Sequence, residues 1–175
     1  LEDLYLQSKV RLEEVMHLGT GAIEIKSGYG LTPKSELKML RTIKRLRKEY
    51  PIPIRATFLA AHAVPKAYEN KKKLFLKTIL EETLPVIQAE NLASAVDVFC
   101  ETGYFTPEDT AYVLKTAQAY GLKPKIHVNQ FNAIGGVAIG VRYKALSVDH
   151  LELIHDEDLA VLKGSKTMPV ALPGC

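Results

Sequence analysis

Lys125-Ile126-His127-Val128-Asn129-Gln130 is a short apolar run that ends in groups able to ligate a metal, bind a substrate or move a proton. The pattern recurs along the chain. Gly21-Ala22-Ile23-Glu24-Ile25-Lys26 leads into Ser27-Gly28-Tyr29-Gly30, and Ile54-Arg55-Ala56-Thr57-Phe58-Leu59-Ala60-Ala61 leads into His62. Ala95-Val96-Asp97-Val98-Phe99-Cys100 is followed by Glu101, and Ala145-Leu146-Ser147-Val148 by Asp149-His150-Leu151-Glu152. A sixth run, Met168-Pro169-Val170-Ala171-Leu172, carries a proline, which suits a strand at a sheet edge. All are short and mostly apolar, as strands buried on both faces are.

Between these runs the spacing predicts helices. Thr32-Pro33 reads as an N-cap followed by proline at the first helical position, and Leu37, Leu40, Ile43 and Leu46 then form an apolar stripe towards Tyr50. Thr106-Pro107-Glu108-Asp109 is a second start, whose acids suit the positive helix end; that helix runs to Tyr120, with Gly121 as a left-handed cap. A longer helical stretch covers Lys66 to Leu92, kinked or split at Pro85. A short helix covers 155–163, and a helical pattern opens the chain.

Strand–helix alternation implies parallel strands joined by right-handed crossovers. A doubly wound open sheet and part of a (βα)8 barrel both fit. An open sheet would spread the polar strand ends along a line. A barrel gathers them around one mouth, where the chemistry of such folds occurs. The repeated polar strand end therefore favours a barrel of α/β class. A complete barrel has eight strands and typically ~250 residues. Six strands in 175 residues are expected to form an incomplete one. Both chain ends read as cuts through a larger fold, with one partial barrel domain over 1–175.

Composition narrows the function classes. At 47% hydrophobic and 25% charged the chain is an ordinary globular one, not a disordered one. Its 23 basic and 20 acidic residues leave +3, spread along the chain, so no nucleic-acid surface is expected. No apolar run approaches the ~18 residues of a membrane span, and no secretory leader opens the chain. With only Cys100 and Cys175 there is no disulfide framework. A soluble, cytoplasmic protein is the expectation.

Each polar strand end also has a bland reading. A single histidine there is as easily structural as functional, because a neutral imidazole needs only one donor and one acceptor partner. Three at equivalent ends, His62, His127 and His150, favour a site. His17 and His155 fall beside helical patterns and read as surface residues. Glu24 and Lys26 share one strand face, as a buried ion pair or as part of a site. Asp97, inside an apolar run, reads as a residue that orients a neighbour. Cys100 reads as a small buried hydrophobe. Lys71-Lys72-Lys73 reads as a solvated helix face, and Gly135-Gly136 as close packing where a helix begins.

Several blocks together resemble one family. Ser27-Gly28-Tyr29-Gly30-Leu31-Thr32, Ala61-His62-Ala63-Val64-Pro65, Phe99-Cys100-Glu101, Lys125-Ile126-His127, Ser147-Val148-Asp149-His150-Leu151-Glu152 and Val170-Ala171-Leu172-Pro173-Gly174 are similar, in order and spacing, to motifs of the imidazolonepropionases, within the metal-dependent amidohydrolases. The resemblance covers essentially the whole chain. It implies a (βα)8 barrel of the amidohydrolase type with a small β-sandwich. It implies hydrolysis of 4-imidazolone-5-propanoate to N-formimidoyl-L-glutamate, a step of histidine breakdown, with one zinc or iron ion in the barrel mouth. His127 matches the metal-binding histidine. Tyr29 and His62 match substrate-contacting positions, and His150 the histidine beside metal and substrate. Gln130 stands where some members carry a glutamate proposed as general base. An amide cannot take a proton, so Gln130 reads as a substrate hydrogen-bonder at that catalytic position, and His150 takes the base role. The partner implied is a small-molecule substrate, with no nucleic acid and no membrane; a homodimer is compatible.

The departures set further expectations. No His-x-His pair occurs in the sequence, nor the family's strand-eight aspartate. The six runs are then barrel strands two to seven, without strands one and eight or the β-sandwich, and the chain by itself is expected to bind metal weakly and to be inactive. Two other readings stay open: another amidohydrolase-type cyclic amidase or nucleobase deaminase, and a non-catalytic truncated barrel.

Overall fold

A computed structural model describes residues 1–172. Pro173 and Gly174 of the last quoted block, and Cys175, lie outside the described residues. The elements are α1 (Glu2–His17), β1 (Ile23–Lys26), α2 (Pro33–Glu49), β2 (Ile54–Ala61), a 3-10 turn (Lys66–Tyr68), α3 (Lys72–Glu90), β3 (Ala95–Cys100), α4 (Pro107–Gln118), β4 (Lys123–Val128), α5 (Gly136–Arg142), β5 (Ser147–His150), α6 (Asp156–Lys163) and β6 (Met168–Ala171). The described strands form one sheet in the order β1-β2-β3-β4-β5-β6, and every neighbouring pair is parallel. Sequential order without a reversal is the order of a barrel wall; a doubly wound sheet reverses at its switch point.

Side-chain contacts across the sheet show that it curls. Lys26 on β1 reaches Asp149 on β5 at 3.2 Å, and Lys125 on β4 reaches Glu24 on β1 at 2.6 Å. Strands are spaced by ~4.8 Å, so β1 and β5 would stand ~19 Å apart on a flat sheet. Only a concave face closes that gap. The structure is therefore a curled, six-stranded parallel half-barrel.

Helix starts follow the local chemistry. The Thr32 hydroxyl accepts from the Ser35 N–H at 3.2 Å, with Pro33 in the first turn. Thr106 and Asp109 form a reciprocal capping box at 3.1 and 3.2 Å. Leu37, Leu40, Ile43 and Leu46 all turn into the core beneath α2. Phe58, Phe75 and Phe105 are fully buried between sheet and helices. Each such side chain contributes about 1.5–3 kcal/mol of burial free energy.

Two element boundaries and one surface reading differ from the sequence reading in ways that matter here. The long 66–92 helix is interrupted near Asn70, at φ 63°, not at Pro85. Pro85 stays inside α3 because it and Glu81 are exposed, so the carbonyl deprived of its partner can meet water. The fifth strand begins at Ser147 and includes Asp149 and His150. Its limits are set by pairing with both neighbours, Val128 with His150 and Ser147 with Met168, which apolarity does not report. Within the lysine run, Lys72 is not simply solvated. Its ammonium lies 3.5 Å from Asp109 and also meets the Tyr104 carbonyl.

Candidate active site

Parallel strands send all their C-terminal ends to one rim. The aromatic rings there form a continuous arc. Tyr29 and His62 meet edge-on with centroids 4.9 Å apart, His62 and Phe99 lie 6.1 Å apart, Phe99 and His127 6.3 Å, and His127 and His150 5.2 Å. The arc thus brings together Tyr29, His62, His127 and His150. His17, at the end of α1, and His155, before α6, are exposed.

Two of the rim loops are held by buried carboxylates. Glu36, fully buried on α2, accepts from the N–H groups of Gly28, Gly30 and Leu31 at 2.9, 2.7 and 3.0 Å, and so shapes the loop that carries Tyr29. Gly28 is required there: φ is +124°, and a Cβ would lie 2.8 Å from the Leu59 carbonyl oxygen. Tyr29 itself stands out at 80% exposure. Glu101 plays the same part for the loop after β4. It accepts from Thr102, Phe131 and Asn132 N–H groups at 2.7, 3.0 and 3.1 Å. Burial alone would raise the Glu101 pKa, but these N–H groups outweigh it and hold the carboxyl below its ordinary value. Although it follows a strand end, Glu101 supports the loop.

Gln130 lies half-buried on the same loop. Its neighbour Asn129 is buried at φ 55° and donates to Asp158 at 2.9 Å, tying the end of β4 to α6. His150 and Leu151 both have left-handed backbones, at φ 90° and 62°. Such conformations cost about 1–3 kcal/mol each and persist where the surroundings over-determine them. The Leu151 N–H donates to the Val128 carbonyl at 3.3 Å, and His150 Nδ1 lies 3.3 Å from Glu152 Oε1. The His150 ring is thereby fixed beside His127.

A chain of charges lies under the arc. Asp97, wholly buried, places Oδ1 2.9 Å from His127 Nδ1 and Oδ2 2.7 Å from Lys26 Nζ. Lys26 also lies 3.2 Å from Asp149 and 4.0 Å from Glu24. Glu24 is paired more closely with Lys125, at 2.6 Å, and receives the Thr57 hydroxyl. Glu24 and Lys26 thus belong to a ladder across the concave face rather than to a pair of their own. Burial alone would push the Asp97 pKa up; the His127 and Lys26 contacts outweigh it and hold the carboxyl at about 2. Burial alone would lower the Lys26 pKa, but Asp97, Glu24 and Asp149 raise it above the ordinary lysine value. Burial lowers the His62 pKa below its ordinary value, favouring the neutral ring. Cys100 is buried, and loss of solvent pushes its thiol up to about 11, an inert group.

Among the described residues, Asp97, His127 and Asp149 hold ligand atoms within 4.8 Å of one another. The donor set fits a metal centre in one respect. Asp97 takes His127 Nδ1 and leaves Nε2 open, the carboxylate–histidine arrangement common behind metal ligands. Sequence reading had marked His127 and the orienting Asp97. It missed the loop-holding roles of Glu36, whose partners lie five to eight residues back, and of Glu101, whose partners include Phe131 and Asn132, and it paired Lys26 with Glu24 rather than with Asp97. An apolar groove lined by Leu12, Val15, Ile23 and Ile43 lies between α1, β1 and α2 and contains none of these imidazoles.

No family model matches the chain. Among curated proteins it is similar to the imidazolonepropionase of Christiangramia forsetii, 60% identical over 174 residues. It is 59% identical to that of Flavobacterium johnsoniae over 174 residues and 43% identical to that of Hahella chejuensis over 173. Each match covers 99% of this chain and 42–43% of the relative. The chain spans about two fifths of the length of the curated relatives it matches.

Proposed function

We infer that this chain, which belongs to the imidazolonepropionase family, forms the part of an amidohydrolase-type barrel that carries much of the catalytic mouth. The reaction is hydrolysis of the cyclic amide of 4-imidazolone-5-propanoate to N-formimidoyl-L-glutamate. We assign the chain to barrel strands two to seven, as one partial domain, with the β-sandwich and remaining strands in the portion of the relatives it does not span.

His127, with its ring held by Asp97 at 2.9 Å, would hold the divalent ion, zinc or iron, through Nε2. Such an ion supplies Lewis acidity and activates water near neutral pH. Catalytic zinc usually takes three protein ligands, and we place the others in the rest of the full-length protein. His150 acts as proton carrier. With Nδ1–H directed at Glu152, its Nε2 is left to accept a proton from water and to return it to the departing ring nitrogen. Gln130 cannot share that duty, because an amide has no basic nitrogen. It donates and accepts hydrogen bonds to the ring, from a loop that Glu101 keeps in place. Neutral His62 contacts the substrate ring, and the Tyr29 hydroxyl donates to the propanoate tail.

The observation that carries this reading is the arc of rings from Tyr29 through His62 and His127 to His150 on one rim. The test grafts residues 1–175 in place of the matching segment of the Christiangramia forsetii relative and follows N-formimidoyl-L-glutamate. The chimera is expected to turn over. His150→Asn in it is expected to lower kcat by about 10²–10⁴. A well-folded chimera that binds metal but makes no product, or a His150→Asn variant at full kcat, would contradict the assignment.

A further inference from the structure

The trio Asp97, His127 and Asp149 has the ligand types and spacing of a cation site, and the protein has placed a cation of its own in it. Lys26 Nζ lies 2.7 Å from Asp97 Oδ2 and 3.2 Å from Asp149 Oδ2. The two carboxylates have side-chain exposures of 0% and 8%, and the Lys26 ammonium bridges them, as buried carboxylates require a paired cation. Asp149 Oδ1 is buried and has no hydrogen-bond partner, so a free acceptor remains beside Lys26 that a cation could use once the ammonium is removed.

We propose that Lys26 is a built-in cation that fills the Asp97–Asp149 position, keeps divalent ions out of that trio, and so confines metal binding to the rim side of His127. This rests on the reading of His127 as a metal ligand only for the position of the rim ion. Exclusion from the trio follows from Lys26, the ammonium that bridges both carboxylates, with Lys125 adding to it at 3.6 Å from Asp149 Oδ2. A divalent ion at these carboxylates would be repelled by Lys26 and also by Lys125. With Lys26 present, Asp97 is committed on one oxygen to the ammonium and on the other to His127 Nδ1. His127 is then free to ligate only through Nε2. Lys26 is thus a positioning residue. It touches no substrate, and acts through Asp97.

The test uses the 175-residue chain, with Co²⁺ as the probe and its visible d–d absorption as readout, alongside His127→Ala and Asp149→Asn variants. Lys26→Met removes the ammonium and keeps most of the stem. It is expected to create a Co²⁺ site that binds at least about tenfold tighter than the wild type, a change of the size that metal-shell mutations produce. That gain should vanish in Lys26→Met/Asp149→Asn. In the wild type, Asp149→Asn is expected to leave Co²⁺ affinity unchanged, which keeps the proposal testable should Lys26→Met fail to fold. A folded Lys26→Met chain with no gain overturns the proposal, as does a wild-type affinity that falls with Asp149→Asn. Loss of the rim reading has a different signature: wild-type Co²⁺ binding that is indifferent to His127→Ala.

Discussion

Asp97 shows how much one buried carboxylate can set. Its two oxygens are divided between Lys26 and His127 at 2.7 and 2.9 Å. Replacing it with Asn keeps the shape but removes the charge that both partners face. Asp97→Asn is expected to weaken zinc binding at His127 by about 10- to 100-fold, the usual effect of losing the group behind a ligating imidazole. Zinc titration of the full-length chimera by competition with a chromophoric chelator measures it; an unchanged affinity would mean that Asp97 does not orient the ligand. The role of Asp97 was partly legible in the sequence, because an acid inside Ala95–Cys100 has few roles other than pairing with a neighbour. Lys26 was half legible. Strand alternation placed it on one face with Glu24, but its contact with Asp149 spans 123 positions and depends on the curl of the sheet.

At the scale of elements, the loops that carry Tyr29 and Gln130 are held by carboxylates from below, Glu36 and Glu101. Glu101→Gln keeps the size of the side chain but weakens acceptance from three N–H groups. It is expected to cost about 1–3 kcal/mol at pH 7. The sign of the pH effect follows from the lowered carboxyl pKa. The ionised group's contribution is complete above its ordinary value of 4.5 and is lost as pH falls through the lower folded value. Urea unfolding at pH 7 and pH 3 should therefore show a wide gap between wild type and variant at pH 7 and a narrower one at pH 3. A gap that does not narrow would remove Glu101 from this role. Such supports are not readable from local sequence. Glu36 looks like any acid in a first helical turn, and Glu101 like any polar strand end. Helix starts were readable because Thr32 and Thr106 act within three residues of themselves. The break near Asn70 was missed because a left-handed backbone at one polar residue leaves little trace in the hydrophobic pattern. Of Gly135-Gly136, the close-packing reading holds for Gly136, where a Cβ would lie 2.6 Å from Val128 Cγ1; Gly135 has open space and serves through its φ of +89°.

For the whole molecule, the decisive feature is a curled parallel sheet whose first and last described strands each pair on one side only, β1 with β2 and β6 with β5. Unpaired edges of this kind attract further strands. The 175-residue chain is expected to show a mass that rises with concentration in sedimentation equilibrium; a strictly monomeric mass across the range would show that both edges are protected. The strand order was within reach of the sequence, through the polar residue at each strand end. The degree of curl was not, because it appears only in cross-sheet contacts such as Lys125 with Glu24.

The most direct check on a shared cation-binding mouth is paramagnetic NMR of the histidine rings with saturating Co²⁺. The His127 ring signals should show the largest shifts, His150 and His62 should broaden with distance from it, and His17 at the end of α1 should be untouched. Equal effects on His17 and His127, or no effect on His127 and His150, would contradict a common metal site on this rim.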